Sequence, residues 1–194
     1  MPLVASKKLD ACEENLLHLL ERYSSHPERR EELEHAIWSQ HGKKCAVMFT
    51  DLSGFSSETR ELGAVHALAG VYQRQKQMAS LLAAYDGHMM KTMGDSIIAT
   101  FDDPVQALEC GTQMVRSNQK LTVGIGFGQV IQLGNRDVFG IEVNHASFLA
   151  EDYGLPGQLL VTQPFLAEVQ RTCAVSCALV PAHGDWDAFE VYWR

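Results

Sequence analysis

HMMKTMGDSIIATF, residues 88–101, is two β-type runs joined by Gly94-Asp95. Two such runs with a glycine-containing two-residue joint read as a β-hairpin. Upstream, Leu68, Val71, Met78, Leu82 and Tyr85 mark a long helix, interrupted on that face by Gln75, and residues 44–50 before it read as a strand. Downstream, Pro104 opens a helix through about Ser117, and LTVGIGFGQV (121–130) reads as a strand with three alternating glycines. The order is β-α-β-β-α-β. With the hairpin in the middle and the helices on one side, it predicts an α+β sandwich of the ferredoxin-like kind.

Further elements follow: a helix over 141–153, a strand over 158–162, a short helix over 164–170, and last strands in CAVSCALV (173–180) and DAFEVYW (187–193). Ahead of the core, residues 6–23 carry Leu9, Leu16, Leu19, Leu20 and Tyr23 at helical spacing. Ser25-His26-Pro27-Glu28 reads as the start of a second helix, lined by Leu33, Ile37 and Trp38. Residues 1–42 are therefore expected to form a helical arm, and 43–194 the α+β unit. The arm's apolar stripe needs a partner, either the chain's own core or a second protomer.

A chain of 194 residues, 46% hydrophobic and 21% charged, is long enough to bury one domain's core. The formal net charge of −8 argues against a nucleic-acid or anionic-membrane surface, which calls for clustered Lys and Arg. No run of 18 apolar residues exists, so no membrane-spanning segment is expected, and the first residues do not read as a signal peptide. Cys12, Cys45, Cys110, Cys173 and Cys177 form no metal motif. They read as reduced cysteines in a cytoplasmic setting.

The run Val47-Met48-Phe49-Thr50 ends on a carboxylate, Asp51. In the topology above the first strand lies beside the hairpin, so Asp51 and Asp95 are expected to converge. Two carboxylates brought together repel unless a cation sits between them. The amides of Ser53, Gly54, Phe55 and Ser56, at the start of a helix, are placed to cradle a polyphosphate. The plainer alternative is that Asp51 caps the next helix and Asp95 is only a turn residue.

The stretches FTDLSGFSSE, GHMMKTMGDSIIATF, VGIGFGQV and VFGIEVNHASFLAE…PGQLLVT occur in that order. Together, over about residues 43–194, they resemble the catalytic domain of the class III nucleotidyl cyclases (adenylate and guanylate cyclases), with its FADIxGFT, KTxGD and DxxGxxVNxAxR motifs. The resemblance implies a homodimer with two composite sites at its interface, each holding a nucleoside triphosphate on two Mg²⁺ or Mn²⁺ ions. It makes Asp51, Asp95 and the carbonyl of Leu52 metal ligands. Lys91 and Asp137 match the pair that reads adenine, and Asn144 the residue that orients the ribose.

This chain departs from the family at Phe148, which stands where the helix carries a transition-state arginine. Such an arginine is worth about 10³–10⁵ in rate in phosphoryl transfer, or roughly 4–7 kcal/mol. The family's triphosphate lysine is missing too: Lys120 is the last lysine, and HGDWDAFEVYWR offers acids and Trp186 instead. Arg136 reads as a solvated loop arginine, and His88 and His145 as surface or interface groups. Gly124, Gly126 and Gly128 are expected to admit another backbone or a nucleotide, and Met89, Met90 and Met93 to pack in the core or a dimer interface.

Two functions follow. The first is a nucleotidyl cyclase, ATP favoured, in which two metal ions assist attack of the ribose 3′-OH on the α-phosphate. The second is a degenerate cyclase-homology domain that dimerises and binds nucleotide as a regulatory module without useful turnover. A phosphodiesterase or polymerase-like domain on the same core is disfavoured by the Lys-Thr-x-Gly-Asp hairpin and the Val-Asn helix.

Overall fold

Asp10 starts the first helix with a capping box: its carboxylate accepts from the Glu13 amide at 2.8 Å, and the Glu13 carboxylate accepts from the Asp10 amide at 2.9 Å. The structure, a computed structural model, describes residues 9–180 and 186–192, and of residues 55–58 the backbone. Helix α1 (Ala11–Ser25) leads through a 3₁₀ turn at Pro27–Arg29 into α2 (Arg30–His41). Leu16 and Leu19 of α1 pack on Leu33 and Ile37 of α2, with Ile131 and Leu133 against them. Leu16, Leu19, Leu33 and Ile37 of the stripe are thus covered within the chain, while Leu20 and Trp38 stay exposed. Residues 6–8 of the expected first helix lie outside the described residues.

The core then runs β1 (Gly42–Leu52), α3 (Phe55–Leu62), α4 (Ala64–Ala84), β2 (His88–Met93), β3 (Ser96–Phe101), α5 (Pro104–Ser117) and β4 (Leu121–Leu133). After it come β5 (Asp137–Phe139), α6 (Ile141–Phe148) with a π-type turn at Leu149–Tyr153, β6 (Leu159–Thr162), α7 (Gln163–Val169), β7 (Ser176–Val180) and β8 (Ala188–Tyr192). The strands form one sheet in the order β2-β3-β1-β4-β6-β8-β7, with β5 paired to β4. Along β2, β3, β1 and β4 each strand is antiparallel to its neighbour, which is the ferredoxin-like core. Residues 181–185, Trp193 and Arg194, which belong to the expected last strands and their connection, lie outside the described residues.

One sheet face, with Ala46, Met48 and Leu52 of β1, packs on Met78 and Leu82 of α4, Leu108 and Met114 of α5, and Phe165 of α7. The other face, with Cys45, Val47 and Phe49, packs on Val143, Ala146 and Ala150. The core helices α4 and α5 therefore share one face, as expected, and the additional helix α6 covers the other. Helix α6 reaches the second face because β4 carries glycine there: a Cβ on Gly124 would lie 2.1 Å from the Ala146 carbonyl oxygen, and one on Gly126 2.7 Å from that of Glu142. What Gly124 and Gly126 admit is the backbone of α6, and Gly128 admits the Glu142 side chain.

The expected long helix is present as α4, and Gly63, whose φ of +86° a residue with a side chain rarely adopts, separates it from α3. Leu68 turns out to be 68% exposed, and Val65 and Tyr72 on the same helix are exposed too, while Val71, Met78 and Leu82 are buried. Helix α4 thus carries an outward apolar surface, which includes Leu68 of the expected stripe. All five cysteines are free thiols. No described helix is long and apolar enough to cross a membrane.

Candidate metal and nucleotide site

Asp51 lies near the end of β1. Side chains alternate along a strand, so it points to the face of Val47 and Phe49, the one α6 covers. Asp95 sits in the β2–β3 turn, whose last pair is Met93 opposite Ser96 and whose Gly94 takes φ +59°. The two acids come together. Burial first, and then the charge of Asp95, push the Asp51 carboxyl above its ordinary range, against hydrogen bonds from the Leu52 backbone and the Ser96 side chain. Burial also raises Asp95, against a backbone hydrogen bond and the nearby Arg74 charge. Glu151 is pushed up by burial first, then by Asp51, Asp152 and Asp95. Asp51 is not the capping residue of α3: that position is taken by Gly54.

These acids fit a hard divalent cation, for the donors are oxygens and the site penalises their bare charge. Among the described residues no group of three or more His, Cys, Asp or Glu is arranged to hold an ion. Further ligands would have to come from a carbonyl such as that of Leu52, from water, or from a bound phosphate.

The raised pKa values fix a sign. A carboxyl whose folded pKa lies above its unfolded value holds its proton more tightly when folded, so its contribution to stability falls as pH rises through that interval. At neutral pH the cost is fully present, and a cation removes it. We expect Mg²⁺ or Mn²⁺ to raise the melting temperature at pH 7.5 by a few degrees in the wild type. Asp51→Asn should melt no lower than the wild type without metal and lose the metal-induced shift, as read by differential scanning fluorimetry. An equal metal shift in the variant would separate the ion from these acids.

Lys91 and Asp137 meet directly, Lys91 Nζ donating to Asp137 Oδ2 at 2.6 Å while Asp137 Oδ1 accepts from the Val138 amide at 3.0 Å. Lys91 is paired with Ile98, which opposes Phe49 across β3 and β1, so Lys91 shares the sheet face of Asp51. Asn144 is exposed on α6. The Ser53 amide donates to the Lys120 carbonyl at 3.0 Å, which takes it out of the expected phosphate cradle.

The two departures from the family meet in one cluster. The Phe148 ring lies edge-on to Trp186 at 5.9 Å and 6.2 Å from Tyr153, and His145 stacks on Trp186 at 4.1 Å.

Arg74 and Glu151 were not singled out in the sequence, and Gln75 was noted there only as a break in the apolar face. Arg74 and Gln75 sit at helical spacing between buried Val71 and Met78, a polar break in an apolar stripe, and that was the available signal. Arg74 acts on Asp95 by its charge, and Gln75 Nε2 donates to the Gly94 carbonyl at 2.8 Å, holding the turn. Glu151 had no sequence signal. Arg136 is not a solvated loop residue: its Nε pairs with Glu13 Oε1 at 2.8 Å, and Glu13 is 1% exposed.

The chain is 34% identical over 137 residues to an adenylate cyclase of Streptomyces coelicolor, covering 67% of this chain and 35% of that protein. It is 34% identical over 110 residues to an adenylate cyclase of Streptomyces griseus, covering 53% of this chain and 27% of that one. The chain thus spans about a third of the length of the curated relatives it matches. Among solved structures, the adenylyl cyclase CyaB from P. aeruginosa superposes with a TM-score of 0.67 at 20% identity, covering 79% of this chain and 95% of that one, a likeness of fold. No protein-family model matches the chain.

Proposed function

Because this chain has the motifs, the curated relatives and the fold of a class III nucleotidyl cyclase catalytic domain, we propose that it converts a nucleoside triphosphate, ATP by preference, to the 3′,5′-cyclic nucleotide and pyrophosphate. The observation that carries this is the approach of Asp51 to Asp95 on the sheet face that also carries the Lys91–Asp137 pair. In the reaction the ribose 3′-oxygen bonds to the α-phosphorus, the bond from that phosphorus to the bridging oxygen breaks, and the 3′-OH proton is lost. Mg²⁺ or Mn²⁺, two per site, held by Asp51, Asp95 and the Leu52 carbonyl, would lower the pKa of the 3′-OH and neutralise the triphosphate. Lys91 offers a donor and Asp137 an acceptor to the adenine edge, Asn144 orients the ribose, and the first-turn amides of α3 receive phosphate oxygens.

The same proposal makes the protein a homodimer with shared sites, residues 43–194 forming the catalytic unit and 1–42 an arm, in a cytoplasmic setting. Exposed Val65, Leu68 and Tyr72 of α4, with Phe139 and Ile141 beside the Lys91–Asp137 pair, are apolar surface that a second copy would cover.

Incubating the protein with each of the four nucleoside triphosphates and Mg²⁺ or Mn²⁺, then separating the products chromatographically, tests the reading. Cyclic AMP above a no-enzyme control supports it; no cyclic product from any triphosphate rejects it. In the second case the other reading gains, a nucleotide-binding regulatory domain. It is favoured by Phe148, whose packing on Trp186 and Tyr153 leaves no guanidinium at that position.

Lys91→Glu sets two carboxylates against each other in place of the ion pair. We expect it to lower the ATP-over-GTP preference in kcat/KM about 10–100-fold, since a polar-reading pocket discriminates by its paired groups. The metal dependence should stay as in the wild type. Competition kinetics with both nucleotides reads this, and an unchanged preference would remove Lys91 from base reading.

A further inference from the structure

Glu13 is a buried carboxylate far from the candidate metal acids, and it spends both oxygens on holding two parts of the chain together. Oε2 accepts from the Asp10 amide at 2.9 Å and closes the capping box of α1. Oε1 meets Arg136 Nε at 2.8 Å, with the Arg136 side chain 34% exposed and that of Glu13 1%. Arg136 belongs to the tight β4–β5 turn. Its amide bonds the Leu133 carbonyl at 3.1 Å, and Gly134, at φ +52°, lies so close to the arm that a Cβ there would stand 3.0 Å from Glu13 Cγ. The next residue is Asp137.

A buried charge tolerates little displacement of its partner, because breaking the pair leaves an uncompensated ion. The turn is therefore pinned to α1 at Arg136, one residue from the carboxylate that Lys91 bonds at 2.6 Å. Ile131 and Leu133 of β4 press on the same arm and add an apolar contact to the ionic one.

We propose that Glu13 and Arg136 are positioning residues: the arm, through this ion pair, sets the place of Asp137 and so the base preference of the site. The inference rests on the cyclase reading for its effect on selectivity, but not for the hold on Asp137. It makes α1 an input to the site, since any change that shifts the start of α1 shifts the base-reading pair.

The test uses the full chain with Glu13→Gln, Arg136→Gln, their double variant, and Arg136→Lys as the conservative replacement, each checked for fold by circular dichroism. Hydrogen exchange of residues 133–139 is measured, together with displacement of a fluorescent triphosphate analogue by ATP and by GTP in Mn²⁺. Each Gln variant should speed exchange of that segment about tenfold and shrink the ATP-over-GTP preference about tenfold. The double variant should be no worse than either single one, as expected for a coupled pair, and Arg136→Lys should restore most of both. Unchanged exchange at 133–139 in the Gln variants overturns the proposal, and so does faster exchange with an unchanged preference, which would make the pair merely structural. If the wild type binds neither nucleotide, the cyclase reading falls on its own, and exchange at 137–139 alone decides whether the arm holds Asp137.

Discussion

Asp51→Asn and Asp95→Asn are each expected to cut metal-dependent cyclic nucleotide formation by about 10³-fold or more while the protein stays folded. The reason is electrostatic. The two carboxyls are raised above their ordinary range by burial, and Asp51 also by the charge of Asp95, so their site favours a cation over two bare charges. An amide keeps the shape of either side chain and removes half of the negative charge. What remains is too weak to hold a divalent ion beside a triphosphate that competes for it. The fold should not suffer, because neither residue belongs to a core cluster and the substitution relieves repulsion. Steady-state assays across a Mg²⁺ and Mn²⁺ titration decide the matter. Activity within threefold of the wild type at saturating metal would mean that these acids are turn residues and no more.

Much of this arrangement was legible in the chain, and the limits have physical causes. The β2–β3 hairpin was readable because Gly94-Asp95 interrupts two β-type runs, and its turn falls where expected, with Met93 opposite Ser96. Strand β1 was readable from its continuous apolar run, which is buried on both faces. The convergence of Asp51 on Asp95 followed from that topology alone. Helix α6 could be predicted as a helix but not placed, since the sheet face it covers depends on tertiary contact with Gly124 and Gly126 of β4. Strand β5, Asp137–Phe139, is too short to leave a period. Leu68 had the right spacing for the core and the wrong environment, because α4 offers apolar residues on more than the face the sheet covers.

The site shows the same division. Lys91 and Asp137 were matched as a pair through family motifs, and the structure joins them at 2.6 Å. The capping signature of Asp10 and Glu13 was present in the sequence, yet nothing local says that Glu13 also takes Arg136, because ion pairs between distant segments leave no periodic trace. Phe148 and Trp186 were noted separately as departures. Only the fold brings them to 5.9 Å, in one aromatic cluster.

The second large effect is expected from mixing two inactive chains. In the proposed dimer one protomer supplies Asp51 and Asp95 while its partner supplies Lys91, Asp137 and Asn144, an isologous arrangement with two equivalent pockets. Asp51→Asn spoils the metal side of every pocket in its own homodimer, and Asn144→Ala the ribose side. In a heterodimer both lesions fall in one pocket and the other is intact. Random reassociation of equal amounts makes about half the dimers mixed, so activity should return to about a quarter of the wild-type value. The measurement is cyclic nucleotide formation by an equimolar, denatured and co-refolded mixture, with heterodimer content read by native mass spectrometry. Recovery to about a quarter, from two parents that are each inactive, is the result predicted for shared sites. A mixture that stays inactive while heterodimers are present and the wild type turns over would contradict them.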